Sequence, residues 1–192
     1  MTAITATNDK LHLTATTDRI AINDAVFPVG DIDRVAYWFG AKRLNGSYVG
    51  TSFWLRVGSG ATSAHFFMDS GSHDTRLEEG HSWWGPVADL LTMHVVPRIV
   101  RTIVASIDRG ETVNFGGLGC PAADRRGLRI RKPFASPIPW NDMRGTVFEH
   151  GRMRILVADG GGGEPKAKML IGLDQWNSAT IPDVIEHYRN GD

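Results

Sequence analysis

The stretch between residues 65 and 81 gathers side chains suited to acid–base chemistry or metal binding. It holds three histidines and four carboxylates: His65, Asp69, His73, Asp74, Glu78, Glu79 and His81. Clustered carboxylates and imidazoles can ligate a divalent cation or exchange protons. Their spacing matches neither a helical His-x-x-x-His pair nor an EF-hand loop. We therefore assign no metal and no cofactor, and we keep a small β-rich enzyme or ligand-binding barrel that uses this stretch as an alternative hypothesis.

A second group of residues could bind an anion. It consists of five cations: Arg125, Arg126, Arg129, Arg131 and Lys132. Alternate residues of a strand share a face, so Arg129 and Arg131 would project from the same side. Guanidinium groups bind phosphate oxygens in a bidentate manner. The patch predicts an anionic headgroup or an acidic partner as its ligand. The alternative is a solvated face that is paired with neighbouring carboxylates.

The longest helical pattern supplies four further candidate binding residues, Trp83, Trp84, Arg98 and Arg101. Tryptophan can anchor an interface, although packing in the core is its commoner role. No Gly-x-Ser-x-Gly elbow occurs, and Cys120 stands in a Gly/Pro turn without a neighbouring histidine. The sequence therefore predicts a protein that is not an enzyme, and we assign no catalytic residue.

Composition narrows the class of protein. The chain has 192 residues, 42% hydrophobic and 22% charged, which is typical of a globular protein. Its 21 Lys and Arg balance its 21 Asp and Glu, so we expect no nucleic acid partner. The N-terminal residues lack the pattern of a secretory signal, and charged residues interrupt the longest apolar stretch. We expect a cytoplasmic protein without a transmembrane segment, with a peripheral membrane contact as an option.

The helical pattern runs from Ser82, a predicted N-cap, to Gly110. Its apolar positions recur every three or four residues and would form one wide face: Val96, Ile99, Val100, Ile103, Val104 and Ile107. Pro97 lies inside the pattern and lacks an N–H, so we expect an interruption near His94–Val96. The apolar face is wide enough to dock onto a second copy of the chain. A structural oligomer that docks through residues 82–109 is therefore another alternative.

Strand-like segments flank this helix on both sides, whereas residues 1–9 are expected to be loose. Asn45-Gly46 predicts a hairpin turn, and residues 181–190 predict a short helix that ends at Gly191. The two halves of the sequence also contain similar features in the same order. Residues 27–32 align with residues 138–143 as apolar-Pro-apolar-x-Asp-apolar, and each segment precedes a Gly-tipped hairpin and then a helix. This correspondence predicts an internal duplication, with units at residues 1–110 and 111–192.

The strands, the Pro-containing turns and the closing helices resemble those of bacterial pleckstrin-homology-like (PH-like) domains. The second half, with Gly127–Ile130, Ile138–Met143 and its short last helix, is the more similar. The resemblance implies an α+β fold of two tandem PH-like units. Each would be a strongly bent antiparallel sheet, or partly open barrel, closed by a C-terminal helix. It also implies a non-catalytic binding or scaffold protein that recognises a partner protein or an anionic lipid headgroup.

Overall fold

The computed structural model describes residues 3–8, 10–71, 76–116, 120–130, 135–149, 151–160 and 162–191, with the backbone alone for Arg76. The fold is α+β, and all of its strand pairs are antiparallel. Within those residues the strands form four separate sheets, and no closed barrel is present. Two compact units are formed, Met1–Arg98 and Ile99–Asp192. The division lies inside the long helix, twelve residues before the boundary predicted at 110, since 110 − 98 = 12.

The first unit contains seven strands in two meanders followed by a helix. Four strands form the first sheet: β1 (Ile4–Asn8), β2 (Leu11–Ala15), β3 (Arg19–Ile22) and β4 (Ala25–Pro28). Three longer strands form the second: β5 (Arg34–Leu44), β6 (Ser47–Ser59) and β7 (Thr62–Gly71). Asn45 and Gly46 join β5 to β6 with φ of 51° and 84°, as expected of a primed hairpin turn. Strand β1 contradicts the loose N-terminus that we expected. It pairs with β2, and its Ala6 is buried.

One helical segment crosses residues 76–108 in three parts, which are α1 (Arg76–Leu90), a π-turn (Leu91–Val95) and α2 (Val96–Asp108). The predicted N-cap is wrong, since the helix begins six residues before Ser82 and the Ser82 hydroxyl donates to the Glu79 carbonyl at 2.7 Å. The predicted interruption is confirmed, because the Val96 N–H reaches back five residues to the Leu91 carbonyl. The helix adapts to Pro97 by widening one turn.

The apolar stripe of α2 is mostly buried, as predicted, at Val96, Ile99, Ile103 and Ile107. The helix Leu77–Asp108 has 32 residues and a mean hydropathy of 1.4 in its most apolar stretch, so it is long and apolar enough to cross a membrane. Of that stretch 39% is buried in the protein. A core helix of a soluble protein has the same properties, so the helix is consistent with a soluble protein. The cytoplasmic location stays a prediction.

The second unit has a similar order of strands, with shorter elements. Its strands are β8 (Val113–Asn114), β9 (Pro121–Asp124), β10 (Gly127–Ile130), β11 (Met143–Glu149), β12 (Arg152–Val157) and β13 (Lys166–Gly172). Leu128 and Ile138 exchange both backbone hydrogen bonds, which adds a one-residue bridge beside β10. Strands β11, β12 and β13 form the second meander, and α3 (Ile181–Asn190) ends at Gly191 with φ of 73°. The predicted bounds of this last helix are confirmed.

The two Pro-containing segments that the sequence aligned have the same local structure. Pro28 and Pro139 each precede a single 3₁₀ turn, at Val29–Asp31 and Trp140–Asp142. The φ angle of the proline is −56° in one case and −60° in the other, close to the value that its ring imposes. The residues that follow these turns, Ile32 and Met143, are fully buried and lead toward the second meander of their unit.

Candidate functional site

The predicted basic patch is partly bonded to its own unit. Asp124 ends β9 and is nearly buried, and its carboxylate accepts hydrogen bonds from the backbone N–H of Arg126 at 2.8 Å and from its guanidinium at 2.9 Å. Arg129 lies 3.6 Å from the same carboxylate. Hydrogen bonding from Arg126 holds the pKa of Asp124 below its usual value. One buried carboxylate therefore pairs with two arginines, and it neutralises one of their two positive charges.

Arg125 bonds elsewhere in the second unit. Its guanidinium donates to the backbone carbonyl of Asp108, at the C-terminal end of α2, where a cation is favourable. The Asp108 carboxylate in turn accepts a hydrogen bond from the Tyr188 hydroxyl at 2.7 Å. Burial, followed by this hydrogen bond, raises the pKa of Tyr188. Arg131 and Lys132, the other two members of the predicted patch, lie outside the described residues.

Of the two helix arginines, Arg98 is committed to the first unit. Its Nη2 donates to the carbonyls of Val29 at 2.9 Å and of Ile32 at 2.6 Å, and so fastens the helix to the 3₁₀ turn. Arg101 is exposed on α2. The position of Arg101 leaves its guanidinium accessible, whereas Arg98 already has backbone partners. Ligand binding by either residue stays a prediction.

Trp83 and Trp84 lie in the core of the first unit. Trp83 is 1% exposed and packs edge-to-face against Phe66, with ring centroids 5.1 Å apart. Trp84 is 6% exposed and contacts Phe39 and Tyr37. These contacts favour the core-packing alternative for both residues. Trp83 Nε1 is buried and has no hydrogen-bond partner among the described residues.

The described members of the His/Asp/Glu stretch are divided between two elements. His65 and Asp69 belong to β7, whereas Glu78, Glu79 and His81 belong to α1. Asp69 accepts a hydrogen bond from Ser52 at 2.5 Å and pairs with Lys42 at 3.1 Å. The ring of His81 packs edge-on against Phe53, 5.1 Å away. Three or more potential metal ligands do not gather anywhere in the described part of the chain, and His73 and Asp74 lie outside it.

The structure reveals a groove in the first unit that sequence patterns did not indicate. It has a volume of about 400 Å³ and lies between α1 with its π-turn and one end of the first sheet. Five residues give it a predominantly apolar surface: Ile4, Ala15, Pro86, Leu90 and Met93. This volume falls within the range of about 300–1,000 Å³ that is typical of ligand pockets. We call this feature the π-turn groove.

The π-turn shapes one wall of this groove. The wide turn places Thr92, Met93 and His94 at the surface, and Met93 is 64% exposed. An exposed methionine is flexible and polarisable, so it adapts to differently shaped apolar partners. Single π-turns inside α-helices are frequent at functional sites. The only sequence signal for this wall was Pro97, which predicted an interrupted helix without showing what the interruption would expose.

The polar groups of the groove are few and differ in their bonding. The Thr16 hydroxyl is used within the β2–β3 turn, where it accepts from the N–H of Arg19 at 3.2 Å. Thr17, Asp89 and His94 also line the groove, and none of them forms a side-chain hydrogen bond or ion pair within the described residues. An apolar surface with one exposed carboxylate, Asp89, can bind an apolar group that carries a donor or a positive charge.

A second, smaller cavity of about 170 Å³ lies in the second unit between β11 and α3, next to Ile185 and Arg189. It falls below the size of a typical ligand pocket, so the π-turn groove is the better candidate site. Comparison with known proteins gives no relative from which a role could be transferred: no protein-family model, no curated protein and no solved structure matches this chain.

Proposed function

We propose that the chain is a non-catalytic binding protein of the PH-like type, made of two tandem PH-like units, and that it recognises a partner protein through the π-turn groove. The order of elements supports the fold. Four strands, three strands and a helix follow one another in the first unit, and the second has three strands, the Ile138 bridge, three strands and a helix. The observation that carries the function is the open apolar groove with Met93 at its rim.

A partner protein is favoured over an anionic headgroup because of how the arginines are used. Arg126 and Arg129 share the Asp124 carboxylate, and Arg125 bonds the end of α2. A phosphate bound at the β9–β10 hairpin would have to compete with the nearly buried Asp124 carboxylate for these arginines. The π-turn groove contains a carboxylate of its own, which repels an anionic group.

The groove lacks the arrangement that nucleophilic catalysis needs. A reactive hydroxyl must lie within hydrogen-bond reach of a base that is itself oriented by a third group. His94 and Asp89 do not bond each other or Thr17 in the described structure, and the Thr16 hydroxyl already bonds its own turn. These observations favour binding over turnover at this site.

The test compares retention of proteins from the native cell extract by matched variants. We expect the wild type and Val26→Asp to retain the same specific protein, and Met93→Asp to lose it. Val26 is 54% exposed and lies outside the groove, so it controls for the added charge. In parallel, flotation with anionic liposomes tests the headgroup alternative. Equal retention by both variants would contradict the groove assignment, as would liposome binding that Arg126→Gln and Arg129→Gln abolish.

A further inference from the structure

Asp89 is the only carboxylate that lines the π-turn groove among the described residues. It projects from α1, is exposed, and has no hydrogen-bond or ion-pair partner there. His94 from the π-turn is exposed, and the lining residues of β1, β2 and the β2–β3 turn carry no charge. The groove therefore presents one carboxylate beside an apolar surface.

A carboxylate that a bound ligand partly desolvates is more favourable with a cation next to it than without one. An anionic or purely apolar ligand would leave Asp89 without a partner and would remove part of its water. A ligand with an apolar group next to an ammonium or a guanidinium satisfies both parts of the groove. In a protein segment, such a pair of groups is present where Lys or Arg directly follows a large aliphatic residue.

We propose that the π-turn groove binds a segment of a partner protein in which a large aliphatic side chain is followed directly by lysine or arginine. The aliphatic group contacts Leu90 and Met93, and the cation pairs with Asp89. This inference rests on the proposed function and specifies its ligand. The volume of about 400 Å³ accommodates a few side chains rather than a folded surface, which suits a short segment.

The experiment titrates ¹⁵N-labelled full-length protein with two neutral-capped dipeptides, N-acetyl-Leu-Lys-amide and N-acetyl-Leu-Glu-amide. The readout is the backbone amide shift of Thr17 and His94, which line the groove. We expect the lysine dipeptide to bind about two- to fivefold more tightly than the glutamate dipeptide, the range expected for a partly exposed ion pair. Added salt should reduce this ratio, because mobile ions screen the pair.

Two charge-neutralising variants of α1 locate the effect. Asp89→Asn should bring the affinity ratio close to one while the uncharged contacts remain. Glu78→Gln removes one negative charge from an exposed position outside the groove and should leave the ratio unchanged. The helical circular dichroism of both variants shows whether α1 is intact.

The possible outcomes separate the two levels of the hypothesis. If both dipeptides shift the groove amides equally and Asp89→Asn changes nothing, the cation preference is refuted while binding at the groove stands. If neither dipeptide shifts these amides, the groove is not a peptide site, and both the inference and the proposed function at this site are overturned. If Glu78→Gln lowers the ratio as much as Asp89→Asn, the effect is a general property of the helix surface and the inference is overturned.

Discussion

Replacing Asp124 tests most directly whether the arginines of the β9–β10 hairpin stabilise the second unit. Its carboxylate accepts from the Arg126 backbone and guanidinium, and it lies 3.6 Å from Arg129. Its backbone carbonyl accepts a hydrogen bond from the Trp140 indole at 3.1 Å. Asp124→Asn keeps the shape and the oxygen that can accept from the backbone, but it removes the negative charge.

We expect Asp124→Asn to lower the free energy of unfolding of this unit at neutral pH by about 1–2 kcal/mol. This value is the difference between hydrogen bonds to a charged acceptor, worth about 1.5–3 kcal/mol, and neutral ones, worth about 0.5–1.5 kcal/mol, at the nearly buried Asp124 carboxylate. Urea unfolding followed by the indole N–H resonance of Trp140 measures this loss. Arg126→Gln in both backgrounds completes a double-mutant cycle and isolates the charge pair.

The pH dependence of this loss of stability tests whether the charge of Asp124 is its cause. The folded state lowers the pKa of Asp124, so its stabilisation is fully present above the unfolded pKa of about 3.9 and is lost as pH falls through the lower folded value. The difference between wild type and Asp124→Asn should therefore shrink as the pH falls below about 4. A difference that stays constant down to pH 2 would refute the role of the charge. A variant more stable than wild type at pH 7 would refute the network altogether.

Three further substitutions test other contacts. Arg98→Ala should destabilise the first unit by about 1.5–3 kcal/mol in urea unfolding, because two carbonyls of the 3₁₀ turn region lose a charged donor, and Arg98→Lys should recover only part of this. Gly127→Ala should destabilise the second unit more than Gly145→Ala. The φ angles are similar, 144° at Gly127 and 141° at Gly145, but only at Gly127 would the added methyl group collide with the Ile138 carbonyl; equal losses would exclude that steric cause. Tyr188→Phe should lower the free energy of unfolding by about 1 kcal/mol at pH 7. Above about pH 10 the wild type should lose stability, because the Tyr188 hydroxyl ionises in the unfolded chain while its raised pKa keeps it protonated in the folded state; Tyr188→Phe should lack this part of the loss. Thermal melts between pH 8 and 11 check this last expectation.

Short-range signals in the sequence predicted the local structure well. Asn45-Gly46 forms its hairpin, Gly191 ends the last helix, and Pro28 and Pro139 precede their 3₁₀ turns. Each of these features depends on the φ preference of one or two residues, which does not require the rest of the fold. The same reasoning located the helix interruption near Pro97.

The beginning of the long helix could not be predicted, because tertiary packing decides it. Gly80 and Gly85 disfavour a helix by their intrinsic propensity. The structure gives a reason for Gly80, since a methyl group there would collide with the ring of Phe53 from β6. Strand β1 has a comparable explanation. Its five residues include only two apolar side chains, Ile4 and Ala6, and pairing with β2 provides its structure.

The π-turn groove was unpredictable for a different reason. Its lining comes from residue 4, residues 15–17 and residues 86–94, three separate parts of the chain that are adjacent only after folding. Asp89 therefore had no recognisable motif around it. The basic patch was conspicuous because its residues are close in sequence, yet Asp124 next to them is also the group that occupies two of the arginines.

The two units fasten a helix beside their 3₁₀ turns in different ways, and this difference has a consequence for function. In the first unit Arg98 bonds the turn from the helix segment just after the π-turn. In the second unit Tyr188 of α3 stacks on Trp140 of the turn, with ring centroids 4.9 Å apart and planes 20° apart. The second unit thus joins helix and turn by aromatic packing, whereas the first joins them by charged hydrogen bonds. Neither Arg98 nor the 3₁₀ turn of the first unit lines the π-turn groove, so the fastening does not use the groove, and we expect a ligand to bind in the first unit, which has the larger of the two cavities.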